Sequence, residues 1–135
     1  MAIQFSTLVR NAVLDAIDTQ IGASAKLSIA TGAAPATCAD AEAGTVLAVL
    51  SLDADWMNAA GSGQKTFKGT WSDSSADNPG TAGHFRLYAS DGTTCGMQGT
   101  VTATGGGGDM TLDNIVIAAG QSVTITAFTL TAPGA

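Results

Sequence analysis

The sequence predicts a mainly β chain: a jelly-roll-like β-sandwich of about seven to eight strands with one N-terminal amphipathic helix. Three observations predict it. Apolar residues recur at helical spacing only before Gly22. Beyond Gly22, short β-prone runs alternate polar and apolar residues. Turns rich in Gly, Asp and Ser separate those runs. At 135 residues the chain fits a single domain, with the helix over residues 1–22 and the sandwich over 23–135.

The helix is read from a stripe made of Phe5, Leu8, Val9, Ala12, Val13, Ala16, Ile17 and Ile21. Ser6 is its expected N-cap, and Gly22 closes it where a left-handed residue is wanted. Arg10, Asn11, Asp15 and Asp18 fall on the other side and are expected in water. One helix cannot bury such a stripe alone. It is expected to pack on a sheet or a neighbouring subunit, with Phe5 and Leu8 as interface residues.

Strands follow in order. Lys26–Ile29 alternates polar and apolar residues. Thr45–Leu52 is nearly continuous and apolar, the pattern of a strand buried on both faces. Lys65–Ser72 sets Phe67 and Trp71 on one face, against Lys68 and Thr70. His84–Ser90 points Phe85 and Leu87 inward, and His84, Arg86 and Tyr88 outward to solvent. Asp91-Gly92 is a tight-hairpin signal. Thr94–Thr102, Met110–Ile117 and Ser122–Thr131 complete the set. The alternation changes phase at Asn114–Ile115 and at Ala127–Phe128, which predicts bulges or a change of sheet.

Composition narrows the function. Charged residues make up 12%, low for a globular domain, while 45% are hydrophobic with mean hydropathy +0.26. Of the apolar residues, 25 are alanine, so bulky side chains are fewer than the percentage suggests. So little surface charge suits a chain whose surface faces protein partners. Eleven acidic against five basic residues, a net charge of −6 and a pI near 4.2 argue against nucleic acid and anionic membranes as partners. The segment Phe5–Ile21 is interrupted by Arg10, Asn11, Asp15 and Asp18 with no basic stretch before it, so neither a signal peptide nor a spanning helix is expected.

Residue types that carry chemistry are sparse. His84 is the sole histidine, which leaves no triad and no histidine-rich metal site. No serine lies in a nucleophile elbow. Asp73, Asp77 and Asp91 could surround calcium, but turn acids explain them better. The run Gly105–Asp109 lacks the lysine of a phosphate loop and precedes a strand, so it reads as a flexible turn. Cys38 and Cys95 lie 57 residues apart without a CxxC pattern. Two free thiols are expected, with a disulfide open to an oxidising compartment. No enzyme activity, cofactor or metal is expected. Trp56, Trp71 and Tyr88 could make an aromatic platform for sugar. Trp71 is assigned to the core, and Trp56 is the better surface contact. With Phe5 and Leu8, the expected interface residues are therefore Trp56, Gly106 and Gly107, and the long loops 32–44 and 72–83 are expected to contribute.

The runs SIATGAAP, GTVLAVLSL, KTFKGTW, GTAGHFRLYASDGTTCGMQGTV and GGGGDMTLDNIVIAAGQSVTITAFTLT follow one another along the chain. In texture and order they resemble the small β-sandwich cement, or decoration, proteins on capsids of tailed bacteriophages. The resemblance implies a non-enzymatic jelly-roll subunit, often a homotrimer, that bridges major capsid proteins on a virion assembled in the bacterial cytoplasm. The N-terminal helix has no place in that pattern, so a tail or neck component stays open. A carbohydrate- or receptor-binding module is the alternative from a different class.

Overall fold

The structure, a computed structural model, describes residues 3–135. Helix α1 spans Thr7–Ile21. Ser6 caps it as expected, its Oγ accepting the Val9 N–H at 3.3 Å. Gly22 ends it at φ 95°, its N–H donating to the Asp18 carbonyl. Nine strands follow: β1 (Lys26–Thr31), β2 (Val46–Ser51), β3 (Gln64–Thr66), β4 (Ser72–Asp73), β5 (Gly80–Tyr88), β6 (Cys95–Ala103), β7 (Met110–Leu112), β8 (Val116–Ile117) and β9 (Val123–Thr131).

The mainly β, sandwich-like class with one N-terminal helix is what the sequence predicts. Its layers come from one hydrogen-bonded path, β2-β1-β5-β6-β7-β9-β3, curled over a shared core, with β4 on β9 and β8 on β5. Ile29, Leu27, Phe85 and Leu87 of the central strands meet Met110, Leu112, Val123 and Phe128 inside the curl. Aromatic rings join the halves. Phe85 packs edge-on to Phe128 at 5.4 Å, Phe128 lies 5.8 Å from Trp71, and Trp71 lies 5.1 Å from Phe67. Of the expected core positions, Trp71, Phe85 and Leu87 are buried in the core, and Phe67 packs against it half-buried.

Three strand expectations are corrected. Lys65–Ser72 is broken into β3 and β4, with Gly69 at φ 74° between them. Met110–Ile117 is broken into β7 and β8 at Asp113–Ile115. There Asp113 Oδ1 accepts the Asn114 and Thr124 N–H groups, and Asn114 Oδ1 accepts the Val116 N–H. Such side-chain bonds offer the backbone an alternative to the ladder. Strand β2 is not covered along both faces: Val49 remains exposed while Leu47, Ala48 and Leu50 are buried.

The expected phase slip at Ala127–Phe128 is a bulge. Thr111 pairs with Ala127 but Leu112 pairs with Ile125, which leaves Thr126 as the extra residue. Its hydroxyl bonds to those of Thr104 and Thr111 instead.

Strands β6 and β7 are parallel neighbours joined by only residues 104–109. Parallel neighbours ordinarily need a connection of about a dozen residues or more. Here the chain doubles back tightly over Thr102. Gly105 and Gly107 each take φ 83°, and a Cβ on Gly106 or Gly108 would lie within 3 Å of Thr102. The Gly108 N–H donates to Thr102 Oγ1, and the Asp109 carboxylate accepts from Thr100 N–H and Oγ1. The glycine run therefore serves as a packed crossover within the fold, where a flexible tip was expected.

Candidate functional site

Helix α1 docks on the sheet by its charged side. Arg10 Nη2 donates to the Ala132 carbonyl, Asn11 Oδ1 accepts the Gly63 N–H, and Asp15 Oδ1 accepts the Ala60 N–H. Lys65, on β3, points its ammonium at the helix, 2.7 Å from Asp15 Oδ1 and 3.2 Å from Asp18 Oδ1. The Lys65 side chain is only 2% exposed. Burial works against its charge, but the hydrogen bonds to Asp15 and Asp18 prevail and hold its pKa above the ordinary value. The bond from Lys65 and that from the Ala60 N–H hold Asp15 below its own. Leu14 and Ile21 are buried, and Ile17 packs beside the core.

This inverts the sequence expectation for the first half of the helix, while Ile17 and Ile21 of the expected stripe do pack inward. Arg10, Asn11, Asp15 and Asp18 face the domain, not water. The stripe residues Phe5, Leu8, Val9 and Val13 face outward, joined by Ile3, and Leu8 is 80% exposed. Ala12 and Ala16 lie exposed between them. Every charged side chain of the helix is directed at its own domain, so the outward face carries none. Leu8, expected at an interface, stands on that face, and Phe5, also expected there, is exposed just before the helix begins. The Phe5 N–H also donates to the Gly134 carbonyl at 2.7 Å, which ties the helix entry to the end of the chain.

Of the other expected interface residues, Trp56 is overturned. It is 2% exposed, lies 6.0 Å from Trp71, and donates its Nε1–H to the Gly22 carbonyl at 2.9 Å. With both tryptophans in the core, the aromatic platform is not formed. Gly106 and Gly107 are exposed on the β6–β7 crossover, with Gly106 held against Thr102.

The second concentration of polar groups lies under the loop 32–44, on the sheet face opposite the core. Parity does turn His84, Arg86 and Tyr88 away from the core, but the loop covers them, so the expectation that His84 and Arg86 face solvent is wrong. Both are fully buried. His84 Nδ1 bonds to the Gly32 carbonyl at 3.0 Å and Nε2 to Glu42 Oε1 at 2.6 Å. Arg86 Nη2 donates to the Cys38 and Asp40 carbonyls, and its guanidinium lies 5.4 Å from the Tyr88 ring. Ser28 and Tyr88 donate to Glu42 Oε2, and Gln98 Nε2 donates to the Pro35 carbonyl. Burial and the Glu42 carboxylate push the Tyr88 phenol above its usual range.

Both histidine nitrogens are engaged by the protein itself, so neither is placed to move a substrate proton. Cys38 and Cys95 belong to the same cluster, with free thiols 2.9 Å apart. Burial and the adjacent Cys38 thiol push Cys95 up to about 11. What the cluster does is hold a long loop flat on the sheet. Asp73 and Asp91 serve their own turns: Asp73 Oδ1 accepts the Ser75 N–H, and Asp91 accepts from Thr93 and Thr94. Those Thr94 and Thr93 bonds hold the Asp91 carboxyl down to about 2.

The chain matches no protein-family model, no curated protein and no solved structure. Among the described residues, no helix is long and apolar enough to cross a membrane, and no group of three or more His, Cys, Asp or Glu is gathered as a metal site.

Proposed function

We propose that this chain is a non-enzymatic virion structural protein, a cement or decoration subunit that associates with copies of itself and bridges major capsid proteins of a tailed bacteriophage. The observation that supports it is the exposed apolar surface of α1 and of the segment that leads into it. Ile3, Phe5, Leu8, Val9 and Val13 present roughly 500 Å² of apolar side chain per copy, near the upper range for a patch on a monomer.

A second copy is the occupant that fits. The chain carries −6 overall, so most faces of two copies would set acid against acid. The helix face is uncharged and meets its twin without that repulsion. One pair of such faces would bury on the order of 1,000 Å², at the low edge of specific interfaces. Three helices about one axis let each copy meet two others, so a closed trimer makes fuller use of the face. The resemblance in order of segments supplies the capsid reading, and modest contacts repeated by symmetry suffice for such a role.

Sedimentation of the full chain at micromolar concentration tests the self-association, with a trimer expected and Leu8→Lys with Val13→Lys reducing it to monomer. A monomeric wild-type chain at that concentration overturns it. Co-sedimentation with shells of tailed-bacteriophage major capsid protein tests the capsid reading. Failure to bind while the trimer persists leaves a tail or neck part as the alternative.

A further inference from the structure

We propose that Cys38 and Cys95 form a cross-linking site, which a small-molecule disulfide such as oxidised glutathione converts to one intramolecular disulfide that locks the 32–44 loop to the sheet.

The two sulfurs lie 2.9 Å apart although 57 residues separate them. Cys95 is fixed by its position in β6, opposite Tyr88 of β5. Cys38 is fixed from the loop side, where Arg86 Nη2 holds the carbonyls of Cys38 and Asp40 and Gln98 Nε2 holds that of Pro35 at 2.6 Å. The reduced fold already orders both partners, so bond formation does not have to fold a loop first. The sulfurs need only close to about 2.0 Å, a shift within reach of small side-chain rotations. Both residues are partly exposed, so a small oxidant can reach them.

A metal explains the pair less well. Two thiolates on tetrahedral zinc, each ~2.3 Å from the ion, stand roughly 3.8 Å apart and need two further ligands. Among the described residues no third ligand of that kind is gathered there.

The chemistry balances with one oxidant. Cys95 is buried and donates its S–H to the Cys38 sulfur, so Cys38 attacks first and loses its proton as the new bond forms. The glutathione disulfide breaks, one glutathione leaves and takes up a proton, and Cys38 carries the other as a mixed disulfide. The Cys95 thiol gives up its proton and attacks the Cys38 sulfur, which expels the second glutathione as a thiol. Two protein thiols lose two electrons and two protons, and one oxidised glutathione becomes two thiols. In a reducing cytoplasm the pair stays open, and in an oxidising medium it closes. This inference stands on the cysteines alone, whatever the fate of the assembly reading.

The test incubates the reduced full chain with oxidised glutathione at pH 8, then unfolds it and blocks free thiols before mass spectrometry. The expected product is a single chain that has lost two hydrogens, takes up no label and yields a Cys38–Cys95 linked peptide. Its Tm should rise by on the order of 10 °C, because a closure of this length constrains the unfolded chain, and dithiothreitol should reverse the rise. Cys95→Ser should stop at a glutathione adduct on Cys38 with no such rise. Two labels per chain after incubation, lasting adducts on both cysteines, or cross-linked dimers as the main product would each overturn the proposal.

Discussion

Lys65 Nζ donates to Asp15 Oδ1 at 2.7 Å, and this bond joins the helix to the last-paired strand of the sheet. The ammonium is buried while the carboxylate is half exposed, so the two ends of the bond are unequal. A buried charge that loses its partners is far costlier than a surface one. Asp15→Asn with Asp18→Asn should therefore cost about 2–4 kcal/mol in chemical denaturation. The same pair of changes placed on Lys65→Met should cost under about 1 kcal/mol, because the stranded charge is gone. Equal losses in the two backgrounds would show that Lys65 is not what the acids serve.

The same contact sets a pH window. Asp15 is held below its ordinary 3.8, so its contribution is present above that value and is lost as pH falls through its depressed folded value. Lys65 is held above its ordinary 10.5, so its contribution is complete below 10.5 and is lost as pH rises through its raised value. Helix docking should thus weaken at both extremes. Tryptophan fluorescence of a Trp71→Phe background reports it, since the remaining Trp56 indole is bonded to Gly22 at the helix end. In Lys65→Met the alkaline limb should vanish.

Phe85→Ala should cost about 3–5 kcal/mol, as removal of a large core ring does. By strand parity alone, Arg86→Ala should be nearly harmless. The structure alters that expectation. Loss of the guanidinium strands the Cys38 and Asp40 carbonyls, so Arg86→Ala should cost about 2–3 kcal/mol. Limited proteolysis should then cut first within residues 32–44, whereas Phe85→Ala should show no such preference.

Gly106→Ala should cost about 1–3 kcal/mol, because the new Cβ would sit 2.7 Å from Thr102 Oγ1 and 3.0 Å from the Ala103 carbonyl. Gly107→Ala meets no atom and carries only its positive φ, so about 1 kcal/mol is expected. Thermal melts of the two variants decide the order. A larger loss at Gly107 would mean that the crossover does not pack on Thr102.

Local signals were legible where local chemistry decides them. Ser6 and Gly22 bound the helix because caps act within a turn. Phe85 and Leu87 are core because alternation fixes their face, and the slip at Ala127–Phe128 marks a real bulge. Strand parity, however, states which face a residue takes and not what covers that face. Sequence alone places His84 and Arg86 in water, because nothing near them in the chain signals that residues 32–44 fold over them. Trp56 was misplaced for a related reason, since its partner Gly22 is 34 residues away. The helix misled through its own pattern. Its apolar stripe omitted Leu14, the most buried residue of the helix, and burial follows Lys65, whose ammonium recruits Asp15 and Asp18 to the inner side.

Strands β5, β6 and β7 are the centre of the sheet path and also one uninterrupted stretch of chain, Gly80 to Leu112. Residues 89–94 join the first two and residues 104–109 the second two. Closing loops this short is cheap in entropy, and the glycine crossover extends that economy to a parallel pair, which elsewhere waits on a long connection. Every other pairing in the path, β1 with β5 or β9 with β7, spans a longer closure. The central three strands are thus the segment able to assemble first, and both flanks of the sheet add to a template already in place.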